Sequence, residues 1–431
     1  MNISDIKKKI TEGQLDRQFT DLLSVPSERI SDERHRYCNA ADRFSDMYGN
    51  ADDVRLFSVG GRSEISGNHT DHNHGRVIAA AVNLDILAVA APTDDGEIRI
   101  KSEGFPEDRV PASAADAPSE DMYFTSAAII AGMERAFLDA GYRVGGFCAY
   151  TTSNVLKGSG ISSSAAFEVM VGNILSHLYN DGRVSNVEIA KMAQFAENRY
   201  FGKPCGLMDQ TACAVGGFIT IDFRDPTEPE IEALDFDLKA AGYSLCLVNT
   251  GGNHADLNDD YASVPAEMKS VAKLMGQDVL RGLTVGDLVA NAPRIRRECG
   301  DRALLRAMHF ITENDRVGEQ VDALKRSDTD SFFRGVTDSG NSSFKYLQNV
   351  YTVKNVAEQG LSVALCITEH YLKNKRGACR VHGGGFAGTI QAFIPSELAS
   401  EYKSLIDSVF GEGACHILFV RRAGAVELTL K

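Results

Sequence analysis

The sequence predicts an α+β fold, and three observations carry that expectation. Strand-like and helix-like segments alternate, yet neighbouring strands also read as hairpins, which a doubly wound parallel sheet does not use. At 431 residues the chain exceeds one ordinary core and suggests two or three domains. An acidic, proline-bearing stretch over residues 223–234 is the best candidate boundary between them.

Taken in order, the first fifty residues read as helical and partly amphipathic, with Phe19, Leu22 and Leu23 at core-like spacing before Pro26. Residues 55–59 form a short strand that enters Gly60-Gly61-Arg62. Residues 82–91 and 97–101 are expected to pair as a hairpin through the turn Thr93-Asp-Asp-Gly96. Residues 102–121 are polar with three prolines and read as a surface loop, followed by a helix near 123–141 and a strand near 146–152. A helix at about 186–202 and a strand over 216–222 precede the boundary. Beyond it come a strand at 243–249, mostly helical residues 260–330 and a long helix near 343–357. A glycine-rich turn at 380–388, a strand at 389–394, a helix at 396–410 and a strand at 415–421 close the chain.

Composition excludes some functions. Hydrophobic residues make up 43% of the chain and charged residues 24%, as in soluble globular proteins. A net charge of −14 argues against nucleic acid or an anionic membrane as the main partner, so an anionic ligand needs a local positive site. The start, Met1-Asn-Ile-Ser-Asp-Ile-Lys-Lys-Lys, has no apolar leader, and no run is long enough to span a bilayer. Nine scattered cysteines without a Cys-x-x-Cys pair read as small buried residues of a reducing cytoplasm. The sequence does not speak to oligomeric state.

Four segments bear chemistry. Lys157-Gly-Ser-Gly-Ile-Ser-Ser-Ser-Ala-Ala-Phe-Glu168 reads as a phosphate cradle running into a helix. Gly158 and Gly160 permit a tight approach, Ser162 to Ser164 add hydroxyls, and the helix start presents free N–H groups to polyphosphate. It is not a Walker loop, and by itself such a loop is also ordinary turn chemistry. In residues 61–75, His69, Thr70, Asp71 and Asn73 crowd donors and acceptors onto one short loop, which suits a polyhydroxylated ligand. His69, His72 and His74 with Asp71 could instead ligate zinc, although their spacing is awkward for a tetrahedral site. In Glu197 to Gln210, Asp209 follows a glycine turn and could orient or deprotonate a hydroxyl; alone, it equally reads as a helix cap. Gly383 to Gly388 is a turn that could wall phosphates or sugar.

In order and spacing, these segments resemble the galactokinase branch of the GHMP small-molecule kinases over roughly residues 30–420. The family signature Gly-Arg-Val-Asn-Leu-Ile-Gly-Glu-His-Thr-Asp-Tyr-Asn is similar to residues 61–73. Its Gly-Leu-Ser-Ser-Ser-Ala is similar to Gly160–Ala165, and its Gly-Ile-Met-Asp-Gln to Gly206–Gln210. Asn249-Thr-Gly-Gly-Asn-His254 through Tyr261 resembles the family's sugar-side segment, and residues 380–388 its third glycine motif.

The resemblance implies an enzyme of two α+β lobes, residues 1–225 and 226–431, with the active site in the cleft between them. It implies ATP-dependent phosphorylation of a monosaccharide's anomeric hydroxyl, with galactose the expected sugar. Asp209 would be the catalytic base or orienting carboxylate and Arg62 its cationic partner. Asn68, His69, Asp71, Gly206 and Tyr261 would bind the sugar. Gly158, Ser159, Gly160, Ser162, Ser163 and Ser164 would hold the ATP phosphates, and Ser164 with Glu197 would ligate Mg²⁺.

Departures concentrate at the sugar. The family's Glu is Asn68 here, its Tyr is His72, and its Asn-Leu-Ile is Glu64-Ile65-Ser66. Loss of a carboxylate at 68, beside His72, His74 and Arg76, raises the alternative of a C6-modified or related sugar such as galacturonate, N-acetylgalactosamine or arabinose. A sensor that binds sugar and ATP without turnover is a further alternative, although Arg62, Asp209 and Glu197 are all present.

Overall fold

The computed structural model describes residues 1–113, 118, 122–155, 161–203, 205–252 and 257–430. The expected α+β architecture is present as two sheets with helices on their faces.

The larger sheet has eight strands: β1 (Arg55–Ser66), β2 (Arg76–Pro92), β3 (Glu97–Ser102), β4 (Glu107–Pro111), β5 (Phe147–Ser153), β6 (Phe218–Asp222), β7 (Glu230–Leu234) and β12 (Ala425–Leu428). Its order is β12-β1-β2-β5-β3-β4, with β6 and β7 extending from the early half of β2. The long β2 reads as an unbroken apolar run because both faces are covered. Ile86, Ala88 and Ala90 join the main core, under α4 (Ser126–Asp139), α5 (Ser163–Tyr179), α6 (Asn186–Ala196) and α7 (Met208–Val215). The alternate residues Leu87, Val89 and Ala91 pack on the N-terminal helices α1 (Ile3–Thr11), α2 (Asp16–Asp21) and α3 (Ile30–Tyr48).

The smaller sheet is antiparallel, ordered β11-β8-β10-β9 from β8 (Tyr243–Asn249), β9 (Ala378–Val381), β10 (Thr389–Pro395) and β11 (Cys415–Leu418). Cys246 and Val248 face α12 (Gly360–Leu372) and α13 (Ala399–Phe410), whereas Leu245 and Leu247 belong to the main core with Phe332 and Phe333 of α11 (Thr329–Ser342). A helical cluster of α8 (Asn258–Leu274), α9 (Val285–Glu298) and α10 (Asp301–Lys325) completes the chain.

Several expectations need correction. Segments 82–91 and 97–101 do not pair as a hairpin; β5 lies between β2 and β3, parallel to β3 and antiparallel to β2. The real hairpin is β3 with β4, whose strand lies inside the expected loop 102–121. The helix expected over 343–357 is only a π-helical turn, Ser343–Leu347, ended by Gln348 at φ 57°. Strand β1 runs on through Arg62 to Ser66, so the signature begins on a strand and only then becomes a loop. β7 and β12, both beyond residue 225, extend the first sheet, so chain from 226–431 returns to the sheet built by 1–225.

Among the described residues no helix is long and apolar enough to cross a membrane. All nine cysteines are unpaired; five are buried, but Cys366 is exposed.

Candidate active site

Arg62 lies on β1 where the ladder with β2 slips register, and Asp209 is the second residue of α7. The Arg62 fork donates from Nε to Asp209 Oδ1 at 2.8 Å and from Nη2 to Oδ2 at 2.7 Å, a bidentate pair across 147 residues of sequence. Ser162 Oγ donates a third bond to Oδ2. The Arg62 side chain is 10% exposed and that of Asp209 32%, so the guanidinium sits behind a carboxylate that opens outward. Burial opposes ionisation of Asp209, but the Arg62 charge and hydrogen bonds, with the Ser162 hydroxyl, outweigh it and hold the carboxyl below its ordinary value. Its place in the first turn of α7 works in the same direction.

Ser162 caps α5 at φ 55°, a left-handed conformation that a non-glycine residue holds only when its surroundings fix it. The Ser162–Asp209 bond and the bond from Arg62 N to Ile161 O, 3.1 Å, supply that fixing. The Ser162 hydroxyl is therefore committed to Asp209, whereas Ser163 and Ser164 are exposed on the first turn of α5. That turn's N–H groups have no intrahelical partner. Gly158, Ser159 and Gly160 lie outside the described residues. Beside this turn opens a cavity of about 470 Å³ lined by Ile86, Phe105, Ile129, Phe167 and Phe201 as well as by Ser163 and Ser164.

The predicted sugar residues converge on the other side. Asp71 opens the short turn Asp71–Asn73 within the loop, and its carboxylate takes no hydrogen bond among the described residues. A Cβ on Gly206 would stand 2.9 Å from Asp71 Oδ2, so a larger residue there would push the Asp71 carboxylate aside. His69 Nε2 donates to Gly384 O at 3.0 Å, and Tyr261 OH donates to Gly385 O at 2.9 Å while its ring lies against Gly384. Gly385 has φ 80°, and a Cβ there would sit 2.0 Å from Asn349 O. Asn68 behaves differently from its neighbours. It is fully buried, and its amide is taken up by Glu64, Gly383, Ser343 and Asn349. The His69, His72 and His74 loop shows no metal geometry: His72 Nδ1 is bonded to Asn73 Nδ2 at 2.9 Å, and no group of three or more His, Cys, Asp or Glu among the described residues is placed to hold an ion.

Residues 125–217 match the model for the GHMP kinases N terminal domain, and residues 42–92 match the galactokinase galactose-binding signature. A galactokinase of Streptomyces coelicolor is 32% identical over 373 residues, covering 86% of this chain and 92% of that protein. The chain belongs to the galactokinase family. As a member it is an ATP-dependent carbohydrate kinase. A galactokinase of Actinobacillus pleuropneumoniae serotype 3 is 29% identical over 374 residues, covering 85% of this chain and 92% of that protein. In fold, the chain is similar to Lactococcus lactis galactokinase complexed with galactose, with a TM-score of 0.74 at 23% identity over 89% of this chain and 98% of that one. It is also similar to Methanococcus jannaschii mevalonate kinase, with a TM-score of 0.60 at 14% identity over 86% and 99% of the two chains.

Around the predicted ligand Glu197 the structure gathers Glu168, Lys203 and Gln210, none of which the sequence analysis gave a role. Glu197 opens a π-helical turn, Glu197–Phe201, and is nearly buried. Its Oε2 accepts from Gln210 Nε2 at 2.8 Å, and its Oε1 faces Lys203 Nζ at 3.2 Å. Gln210 Nε2 also donates to Glu168 Oε2 at 3.0 Å, so the residue after Asp209 ties two carboxylates together. Burial, then the nearby Glu197 charge, pushes the Glu168 carboxyl up to about 8. Glu168 lies one turn after Ser164 on α5, on the same face. The motif Met208-Asp-Gln210 pointed to Gln210; nothing in the pattern pointed to Lys203.

Behind the sugar loop, the carboxylate of Glu313 accepts from Gly67 N at 3.1 Å and from Ser339 Oγ at 2.5 Å, and pairs with Arg316. Burial pushes His309 down to about 4, so it is neutral at physiological pH. Against the cost of its own burial, the Glu313 carboxyl beside His309 is held below its ordinary value, with the Arg316 and Arg380 charges and the Ser339 hydroxyl favouring the ionised form. Glu313 sits in the middle of the long helix α10, where a carboxylate reads as ordinary surface.

Proposed function

We propose that this chain transfers the γ-phosphoryl group of ATP to the anomeric hydroxyl of galactose, yielding the sugar 1-phosphate and ADP. The observation that carries this reading is the outward-facing Asp209 carboxylate, kept ionised by a two-pronged Arg62 and standing three residues from Gly206 and its neighbour Asp71. Asp209 accepts a hydrogen bond from the C1 hydroxyl and takes its proton as the oxygen attacks phosphorus. Arg62 keeps that carboxylate charged and counters charge on the transferring group. His69, Asp71, Gly206 and Tyr261 hold the sugar, and the free Asp71 carboxylate is ready to accept from its hydroxyls.

The first turn of α5 and the segment before it cradle the phosphates, and the apolar, aromatic cavity beside it takes the nucleoside. Ser164 and Glu197 offer hard oxygen donors, and Glu197 Oε1 already faces a cation in Lys203 Nζ. Mg²⁺ held by Ser164 and Glu197 would neutralise charge on the phosphates. In this arrangement residues 1–225 supply Arg62, Asp209 and the cradle, while residues 226–431 bring Tyr261 and the glycine turn onto the sugar.

Galactose is favoured over a uronate because Asn68, the departure that raised the alternative, turns its amide into the protein and offers a sugar carboxylate nothing. Replacement of Asp209 by Asn keeps shape and removes the base. The expected result is a loss of about 10²- to 10⁴-fold in kcat with KM for both substrates little changed. A variant within about threefold of the parent would overturn the assignment. A panel of galactose, galacturonate, N-acetylgalactosamine and arabinose should favour galactose by about tenfold or more in kcat/KM.

A further inference from the structure

We propose that Asn68 is a positioning residue that locks the sugar loop onto the glycine turn, and that this chain has exchanged an amide and a carboxylate between positions 64 and 68 across one hydrogen bond. The inference deepens the sugar-kinase reading and rests on it for the role of the loop.

The amide orientation is fixed by its partners. Asn68 Nδ2 lies 2.7 Å from Gly383 O, which can only accept, and 3.0 Å from Glu64 Oε1. On the other side Oδ1 receives Asn349 Nδ2 at 2.8 Å and Ser343 Oγ at 3.3 Å. Asn349 Nδ2 is itself fixed by its bond to Gly384 O, 3.1 Å. Donor and acceptor capacity of the Asn68 side chain are thus both used inside the protein, at zero exposure. Its backbone oxygen accepts from His309 Nε2 at 3.0 Å. One residue thereby joins three segments distant in sequence: the sugar loop, the stretch 343–349 and the turn 383–385. The next residue, His69, has φ 57° and bonds Gly384 O, so the lock at 68 sets where His69 and then Asp71 point.

Only a group that donates on one side and accepts on the other satisfies this position; a carboxylate there would face Gly383 O and Glu64 with no proton to give. Glu64 is held to Arg380 Nη2 at 3.1 Å, and Arg380 Nη1 bonds Ile65 O, which fixes the carboxylate at 64. The family signature carries Asn where this chain has Glu64 and Glu where it has Asn68. The two positions therefore carry the same total charge, and in this chain the charge stands on the side of Arg380.

Three variants test this: N68A, N68E and the reciprocal E64N/N68E. Each is followed by thermal unfolding and by KM and kcat for galactose and for ATP. N68A should raise the sugar KM by about tenfold with the ATP KM unchanged, a split that mere loss of folded protein does not produce. N68E should unfold at the lowest temperature of the three. The reciprocal variant should recover about tenfold of the kcat/KM that N68E loses and part of its unfolding temperature, because it removes the carboxylate–carboxylate contact at 64 and 68 while Gly383 O stays unpaired and Arg380 loses Glu64. A sugar KM in N68A equal to the parent's, or a double variant no better than N68E, overturns the proposal. If the parent itself does not phosphorylate galactose, the unfolding temperatures of N68E and the double variant still decide the exchange, and only the substrate reading falls.

Discussion

Glu134 gives the sharpest quantitative prediction. It sits on α4 among Ile130, Ala131, Met133 and Phe137, with no exposure and no hydrogen bond to either carboxylate oxygen. Burial alone pushes its carboxyl from 4.5 up to about 8. In the unfolded chain the group ionises above 4.5, whereas in the folded protein it stays protonated until about 8. Between those values the unfolded state releases its proton first, so stability falls as pH rises and levels off once both forms are charged. At 1.36 kcal/mol per unit, the loss reaches roughly 3 kcal/mol at pH 7 and roughly 5 kcal/mol above pH 8. Glu134→Gln has nearly the same shape and does not titrate. Relative to the parent, it should be close in stability at pH 5 and gain about 1.4 kcal/mol per pH unit up to pH 8. Urea unfolding of both proteins at unit steps from pH 5 to pH 9, followed by circular dichroism, measures that difference. A difference that stays flat across the range refutes the reasoning, because it would mean that Glu134 titrates alike in both states.

Two further outcomes follow from contacts at the site. Gly206→Ala should raise the sugar KM by about tenfold or more, since its Cβ would stand 2.9 Å from Asp71 Oδ2, and should leave the ATP KM unchanged; kinetics with each substrate varied in turn check this. Lys203→Met removes the cation on Glu197 Oε1. Because Lys203 is 59% exposed, unfolding should shift by under about 1 kcal/mol, while the Mg²⁺ concentration for half-maximal rate falls, as a titration of rate against Mg²⁺ would show.

What was legible in the sequence divides along physical lines. Short motifs fix local backbone chemistry, so Arg62, the 69–73 loop, the Ser162–Ser164 helix start and Asp209 could be found as pieces. Their mutual geometry could not, because the bonds that assemble the site span 147 residues for Arg62 to Asp209 and 315 for His69 to Gly384. The strand reading failed where pairing is non-local: the apolar run of β2 fits a hairpin strand as well as a central one, and only β5, which arrives fifty residues later, decides between them. The helix expected beyond residue 347 failed because Gln348 turns left-handed to bring Asn349 against the glycine turn. Pattern read from one segment has no access to that demand.

The same limit explains why Asn68 misled. A motif compares a residue with its family position and so reads Asn68 as a sugar ligand that has lost its charge. The structure compares it with Glu64, one strand end away, and finds the missing charge there, held by Arg380. A buried carboxylate is tolerated only where a cation and hydrogen bonds meet it, and Arg380, fully buried on β9, meets 64 rather than 68. Which of the two positions carries the charge is therefore decided by the second sheet, from a strand more than three hundred residues downstream. A substitution in a binding motif is evidence about the ligand only after the protein's own partners for that side chain have been counted, and here those partners use every hydrogen-bonding direction that Asn68 has.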